Sequence, residues 1–167
     1  MPTARRSRTI AAPAEDLWAI VSDPHHLPRW WPRVSRVEDV EDGAFTEVMT
    51  TSRGKVVRAD FDLVQADGLA LSLTWSQRVE GTPFGRLLKS AETEVHLTPA
   101  VQGSHSAFGE RAGGTQTGLT GGAQTVVTIE LRQALTGFFP RFGGFMVRRA
   151  AGATIDAALD GLERISG

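Results

Sequence analysis

The chain has 167 residues, of which 41% are hydrophobic and 22% are charged, and its formal net charge is −1 at pH 7. This length is typical of one domain that buries roughly two thirds of its unfolded surface, so we expect a single domain over residues 1–167. A charge near zero gives no electrostatic basis for binding nucleic acid. The absence of cysteine excludes disulfides, thiolate nucleophiles and cysteine metal sites.

The chain contains no apolar run that approaches the roughly 18 residues of a membrane span. Its N-terminal segment also lacks the apolar core of a signal peptide, so we expect a cytoplasmic protein without an integral membrane segment. The arginines Arg5, Arg6 and Arg8 are interpreted as a solvated face of a first strand. Because tyrosine is absent, no phenol can contribute to acid–base chemistry.

The segment Ile10–Val34 predicts the end of a strand followed by two short helices. Pro13 suits a first helical position, because its φ is already helical and its missing N–H is not needed there. The proline that follows Asp23 disfavours the α conformation at Asp23, so the first helix should end near Ser22. A second short helix or turn is then expected over His25–Trp31.

This opening has a recognisable order of residues. The pattern A-x-P-x-x-x-[VL]-W-x-x-[LV]-x-D-P begins at Ala11, and a Leu-Pro-x-Trp-x-Pro segment follows at Leu27. The two together resemble the opening of the polyketide cyclase/dehydrase and lipid-transport group of the START-like (SRPBCC) superfamily. The resemblance implies the helix-grip fold of that superfamily.

Four extended segments follow, with short turns that contain Gly or Asp-Gly between them, and they predict an antiparallel meander. These segments are Ser35–Val40, Phe45–Thr51, Lys55–Val64 and Leu69–Trp75. Alternation places two sets of apolar residues on one face of the sheet. The sets are Val57, Ala59, Phe61 and Leu63 on one strand and Leu69, Leu71, Leu73 and Trp75 on the next.

Two more strands and a helix complete the prediction. The strands are Arg86–Leu97 and Val126–Leu131, joined by a Gly/Ser/Thr-rich stretch at about 100–123 that we expect to be a flexible hairpin loop. Whether that loop is a lid or an inert insertion stays open. Apolar residues at helical spacing predict a long amphipathic helix over Pro140–Ile165.

The predicted fold class is therefore α+β. The order of one strand, two short helices, six strands and one long helix matches the helix-grip arrangement. As the resemblance implies, a curved antiparallel sheet of about seven strands should wrap around the C-terminal helix and leave a cavity between them.

Small residues over 150–153 leave little side-chain volume midway along the last helix, which favours either a ligand pocket or close packing against the sheet. The residues that we expect to line such a pocket are Trp30, Trp31, Val57, Ala59, Phe61, Leu71, Leu73, Trp75, Arg78, Val95, Ile129, Ala151 and Ile155. Glu47 and Gln65 are the other polar residues that alternation directs inward.

No catalytic set is evident, and the sequence indicates neither a metal nor another cofactor. His25 and His26 are adjacent and therefore lack a metal-ligand spacing. Glu92, Glu94 and His96 share a strand face that should point to solvent. Arg78 and Arg86 are candidates for polarising a ligand carbonyl, since the resemblance implies a pocket arginine in aromatase/cyclase members, although no motif assigns either one.

Three functions stay open. The preferred one is binding or transport of a small hydrophobic or amphipathic molecule, such as a polyketide, a lipid or an isoprenoid, in the pocket between sheet and helix. The second is an enzyme of the polyketide cyclase/aromatase type. The third is a protein-interaction module that docks through the Gly-rich loop, and a homodimer also stays open.

Overall fold

The computed structural model describes residues 1–100, 122–137 and 143–167. Two helices, α1 (Ala14–Val21) and α2 (Leu27–Trp30), follow the first strand and are separated by a 3-10 turn at Pro24–His26. A third helix, α3 (Gly143–Ser166), ends the chain. The seven strands are β1 (Thr3–Ile10), β2 (Val34–Glu41), β3 (Ala44–Thr50), β4 (Val56–Asp67), β5 (Ser72–Gln77), β6 (Leu88–Ala100) and β7 (Gln124–Leu135).

The strands form one curved antiparallel sheet in the order β1-β7-β6-β5-β4-β3-β2. From β2 to β7 every strand pairs with its neighbour in sequence, whereas α1 and α2 carry the chain from β1 at one edge to β2 at the other. Asp42 and Gly43 both have positive φ, the conformation that the tight β2–β3 turn requires. The predicted seven-stranded helix-grip architecture is confirmed.

The opening block folds as its residues predict. Helix α1 ends at Val21 with Ser22 as its C-cap, which agrees with the expected end near Ser22, whereas Pro13 lies one position earlier than predicted, with an extended backbone just before the helix. The Asp23 carboxylate accepts a hydrogen bond from the backbone N–H of His25 at 3.0 Å and so caps the 3-10 turn. Asp23 therefore ends one helix and starts the next turn.

Helix α3 packs its apolar stripe on the concave face of the sheet, where Ile155, Ala158 and Leu162 are fully buried. Ion pairs attach the same helix to β1. Arg6 lies 3.7 Å from Asp156, and Arg8 pairs with Asp160. Strand alternation turns these two toward α3, so the three arginines do not share one face as expected, although Arg5 and Arg6 are both exposed.

Two local features differ from the predicted strands. β5 begins at Ser72 and not at Leu69, because the Asp67 carboxylate accepts hydrogen bonds from the next turn and Leu71 has φ of +50°. Leu69 is consequently fully exposed. A bulge between Leu63 and Gln65 reverses the alternation of β4, so Gln65 points to the outer face and not inward.

The predicted flexible loop at about 100–123 lies almost entirely outside the described residues, as does the segment 138–142. The ends of that loop are described, and Ala100 and Gln124 face each other as register partners on β6 and β7. This pairing keeps the two strands in one hairpin register up to the loop.

Candidate functional site

A pocket with a volume of about 420 Å³ lies between the concave face of the sheet and the first half of α3. We call it the sheet–helix pocket. Its described wall is mainly apolar and includes Trp31 after α2, Phe61 on β4 and Trp75 on β5. Side chains with polar groups also reach it, from Glu47, Gln77, Thr93, Gln133 and Thr154. Both the size and the apolar wall are typical of small-molecule sites.

The pocket is open on the helix side because α3 carries small residues there. Ala150 and Ala151 line it together with Val147 and Thr154, and none of these side chains is long. Further along the helix, Ile155 is fully buried in the core and closes the space. The small-residue stretch therefore leaves volume in its first half and packs closely afterwards.

Aromatic rings that line the pocket pack against one another and against Phe45, which does not line it. The ring centroids of Trp31 and Trp75 are 5.6 Å apart in an edge-to-face arrangement, and Phe45 stacks on Phe61 at 5.3 Å. Phe45 also contacts Trp75 edge to face at 6.4 Å. Such contacts stabilise each pair by about 0.5–1.5 kcal/mol beyond burial alone, so they favour this arrangement of the rings.

Glu47 is the most unusual residue of the site. It lies in the middle of β3, opposite Val37 on β2 and Ala59 on β4, and its side chain is only 2% exposed. Within the described residues, its Oε1 atom is buried and has no hydrogen-bond partner. Burying an unpaired polar group costs about 1–3 kcal/mol, so this carboxyl destabilises the fold unless something else binds it.

Burial also sets the charge of Glu47. Removal of the carboxyl from water disfavours its ionised form and raises its pKa to about 8. At neutral pH the group is therefore mainly protonated, and it can donate a hydrogen bond as well as accept one. Trp30 Nε1 is likewise buried without a partner in the described residues, but Trp30 does not line the pocket.

Four of the thirteen residues predicted to line the pocket lie on its wall, namely Trp31, Phe61, Trp75 and Ala151. Six others are buried in the hydrophobic core below or beside it, namely Trp30, Ala59, Leu73, Val95, Ile129 and Ile155. Val57 is half-buried opposite Met49, and Leu71 packs against the core from the turn before β5. The structure thus brings together about a third of the predicted set.

Arg78 lies away from the pocket. It follows β5 on the outer side of the sheet and forms a two-point hydrogen-bonded ion pair with Asp62, which raises the pKa of its guanidinium and lowers the pKa of that carboxyl. Since Trp75 points inward, alternation predicts Gln77, and not Arg78, as the inward residue, and Gln77 does line the pocket. Arg86 ends a 3-10 turn over Pro83–Arg86 and does not line it either.

The carboxylates of β6 face outward, as predicted, and are bound by one arginine. Arg132 on β7 donates to Glu92 at 2.7 Å, to Glu94 at 2.5 Å and to Glu130 at 2.6 Å. The hydrogen bond to Glu94 contributes most to raising the pKa of Arg132. These groups form one ion-pair cluster on the outer face, in which Arg132 is shared by three carboxylates, and none of them lines the pocket.

We expect Arg132→Met to destabilise the protein by about 1 kcal/mol, because three carboxylates on neighbouring strands lose their shared cation. The loss should shrink in high salt, which screens the remaining repulsion. Urea unfolding of the variant at low and high salt measures both effects. Arg5→Met is the control, since the one ion pair of Arg5 among the described residues is long, 3.7 Å from Glu130, and its loss should change stability little. Equal losses for the two variants would contradict the cluster's role.

Alternation along its strand predicts that Glu47 points inward, although Glu47 is not among the residues expected to line the pocket. The sequence indicates this because Phe45, Glu47 and Met49 are two residues apart along β3 and therefore share a face. No group of His, Cys, Asp and Glu residues in the described ranges has the geometry of a metal site. In those same ranges, no helix is both long and apolar enough to cross a membrane.

Solved structures share this fold. The di-domain ARO/CYC BexL from the BE-7585A biosynthetic pathway matches with a TM-score of 0.72 and 19% identity, over 98% of this chain and 46% of BexL. The chain therefore spans about half the length of that protein. A START superfamily protein from Mycobacterium smegmatis matches with a TM-score of 0.70 and 15% identity, over 98% of this chain and 96% of that one. These likenesses show a START-like fold.

A protein of Thermus thermophilus also matches, with a TM-score of 0.64 and 23% identity, over 98% of this chain and 95% of that one. No curated protein matches the sequence. The family model for polyketide cyclase / dehydrase and lipid transport matches residues 1–167, and together with the START-like fold it supports a ligand-binding or cyclase role. Because the match covers the whole sequence, the chain belongs to the polyketide cyclase / dehydrase and lipid transport family.

Proposed function

We propose that the protein binds a small hydrophobic or amphipathic molecule, such as a polyketide, a lipid or an isoprenoid, in the sheet–helix pocket. The observation that carries the proposal is the pocket of about 420 Å³ that α3 leaves open at Ala150 and Ala151. An apolar pocket of this size gains free energy when an apolar ligand replaces water, at about 25 cal/mol per Å² of apolar surface buried.

Binding without turnover is favoured by the character of the wall. Of the described residues that line the pocket, Glu47 alone has a side chain that titrates. General acid–base catalysis usually needs an acid and a base in reach of the same substrate, and a single carboxyl surrounded by apolar groups supplies one of them. The described wall is therefore better suited to holding a molecule than to transforming it.

A cyclase is the second candidate, and two observations favour it. The fold is similar to that of the di-domain ARO/CYC BexL, and a protonated Glu47 lies where it could stabilise negative charge on a substrate oxygen. Incubation with a model poly-β-ketone distinguishes the candidates. Cyclised product formed faster by the wild type than by Glu47→Met would establish the cyclase, and binding of the ketone without accelerated cyclisation would leave the carrier.

The pocket can be tested with two alanines of α3 that are both exposed. Ala150 lines the pocket and Ala153 does not. Because both are exposed alanines of the same helix, substitution by phenylalanine should change helix propensity equally at the two positions. We expect Ala150→Phe to weaken binding of the fluorescent apolar probe N-phenylnaphthylamine roughly tenfold, equivalent to about 1.4 kcal/mol, because the new ring occupies the pocket. Ala153→Phe should leave the affinity unchanged.

Fluorescence titration of the two variants and the wild type measures these affinities. Equal affinities in all three proteins, or equal losses in both variants, would show that the probe binds elsewhere. Native mass spectrometry of the purified protein then identifies any molecule that it retains. The interaction-module hypothesis rests on the Gly-rich loop, most of which lies outside the described residues.

A further inference from the structure

We infer that the sheet–helix pocket selects a neutral, mainly apolar ligand that carries a hydrogen-bond-accepting oxygen, such as a ketone, ester or lactone carbonyl, and that the Glu47 carboxyl donates a hydrogen bond to it. The inference rests on the proposed function, since it needs a ligand in this pocket. It adds the chemical class of that ligand and the residue that recognises it.

Among the described residues, the fold gives the Glu47 carboxyl no structural role. Its register partners on the adjacent strands are Val37 and Ala59, and its neighbours on the same face of β3 are Phe45 and Met49. Within the described residues, its Oε1 atom has no partner although the atom is buried. An apolar side chain would pack in this position without that penalty, so the carboxyl is suited to a partner that arrives from outside.

Such a partner reaches the Glu47 carboxyl through the pocket. Glu47 belongs to the pocket wall, together with Trp31 and Trp75, while the strands on either side close off its flanks. A ligand lying against these aromatic rings would bring its polar atoms toward the carboxyl. A hydrogen bond formed there is shielded from water and gains more than one formed at the surface.

In this pocket the Glu47 carboxyl acts as a hydrogen-bond donor. No other described residue that lines the pocket, from β4, β5, β6, β7, α3 or the segments after α2 and β5, carries a charge or titrates near neutral pH. The described wall therefore offers no cation that would favour ionisation of Glu47, and burial raises its pKa to about 8. A neutral carbonyl oxygen accepts the hydrogen bond without moving a proton.

Charged ligands fit less well. A carboxylate would be buried in an apolar wall whose described residues offer no counter-charge. An ammonium ion could pair with Glu47 only if the carboxyl first lost its proton, and both charges would then be desolvated. A neutral acceptor avoids both penalties, which is why the class is stated as ketone, ester or lactone.

The test compares four probes of nearly the same shape by isothermal titration at about pH 6, where the Glu47 carboxyl is protonated. The probes are methyl naphthyl ketone, its hydrocarbon isostere isopropenylnaphthalene, naphthoate and naphthylethylamine. We expect the wild type to bind the ketone about tenfold more tightly than the isostere. Glu47→Met should abolish that preference and retain binding of the isostere, since Met has similar length and no donor.

Glu47→Gln provides the matched control. The amide still donates but cannot ionise, so the ketone preference should persist in this variant at about pH 6 and at about pH 9. In the wild type, the preference should decline as the pH rises above about 8, when the carboxyl loses its proton. Circular dichroism of each variant confirms that it is folded.

The outcomes distinguish failure of the proposed hydrogen bond from failure of the proposed function. If the isostere binds the wild type as tightly as the ketone, or if Glu47→Met keeps the preference, the hydrogen bond is wrong while the pocket still binds ligands. Tightest binding of naphthylethylamine would likewise overturn the choice of a neutral ligand. If no probe binds the folded wild type, the proposed function fails and this inference fails with it.

Discussion

Glu47→Gln is expected to make the protein more stable than the wild type by roughly 3–5 kcal/mol near pH 8, while the two proteins should differ by less than about 1 kcal/mol near pH 4. The cause is the carboxyl's pKa, which is about 8 in the folded protein against a reference value of 4.5 in the unfolded chain. The stability differences expected at the two pH values therefore both follow from burial of the Glu47 side chain.

The direction of this effect follows from counting protons. Between pH 4.5 and about 8 the folded protein keeps the Glu47 proton, whereas the unfolded chain has released it. Folding therefore takes up a proton in this range, and the free energy of unfolding falls by about 1.4 kcal/mol for each pH unit of increase. Glutamine has no proton to release, so Glu47→Gln lacks this contribution and diverges from the wild type as the pH rises.

Urea unfolding of both proteins at several pH values between about 4 and 9 measures the difference in their free energies of unfolding. The other titrating groups contribute equally in the two proteins, so their contributions cancel in this difference. Glu38→Gln is the control with the opposite sign. Hydrogen bonding by Arg36 lowers the pKa of Glu38, so this variant should lose stability relative to the wild type at neutral pH, and the loss should shrink as the pH falls. Parallel curves for wild type and Glu47→Gln would mean that the carboxyl is hydrated or ionised in the folded protein.

The architecture could be predicted because its signals are local. Proline at position 13, the Asp23–Pro24 stop and the Asp-Gly turns mark where elements begin and end, and each acts through the backbone of its own neighbours. The amphipathic period of the last helix is equally local, and the structure confirms that helix over Gly143–Ser166. These features need no knowledge of the rest of the fold.

The site was less predictable, because a bulge or an irregular turn changes which face of the sheet the following residues point to. A single bulge at Val64 turns Gln65 outward, and nothing in the residue types around it marks the extra position. The turn before β5 likewise removes Leu69 from the apolar face. A predicted wall built from alternation therefore mixes residues of the pocket with residues of the core, and Trp31 and Trp75 are among those that line the pocket.

Alternation predicts which face of the sheet a residue lies on, but it does not predict whether a residue on that face lines the pocket. Ile129 and Leu131 lie on the same face of β7 and both belong to the core, yet only Leu131 of the two also lines the pocket. What separates them is the helix above them. Ile155 fills the space on one side, and Ala151, one turn earlier, leaves it open.

The second large effect is expected at the contact between α2 and α3. Gly161→Ala should destabilise the protein by roughly 1–3 kcal/mol, even though alanine is the better helix former by about 1 kcal/mol. A Cβ atom at Gly161 would lie 2.8 Å from Cα of Trp30 and closer still to the Trp30 carbonyl oxygen. Because these are backbone atoms, the short helix α2 would have to move as a unit.

Two other glycines of α3 provide controls within the same helix. A Cβ atom at Gly144 would meet nothing within 4 Å, and one at Gly152 would meet the guanidinium end of Arg6 at 2.9 Å, which can swing aside. Gly144→Ala should therefore be neutral or slightly stabilising, and Gly152→Ala should cost less than Gly161→Ala. Thermal or urea unfolding of the three variants gives the ranking, and equal effects at all three positions would show that backbone contact at Trp30 is unimportant.

The same substitution should reach the pocket through the two tryptophans. Trp30 packs edge to face on Trp31 with ring centroids 5.3 Å apart, and Trp31 forms part of the pocket wall. If α2 moves away from α3, Trp31 moves with it, so Gly161→Ala should also change the affinity for N-phenylnaphthylamine while Gly144→Ala leaves it intact. A variant that loses stability but keeps wild-type probe affinity would separate the anchoring of α2 from the shape of the pocket. Loss of both would establish that the close approach at Gly161 holds the aromatic wall in position.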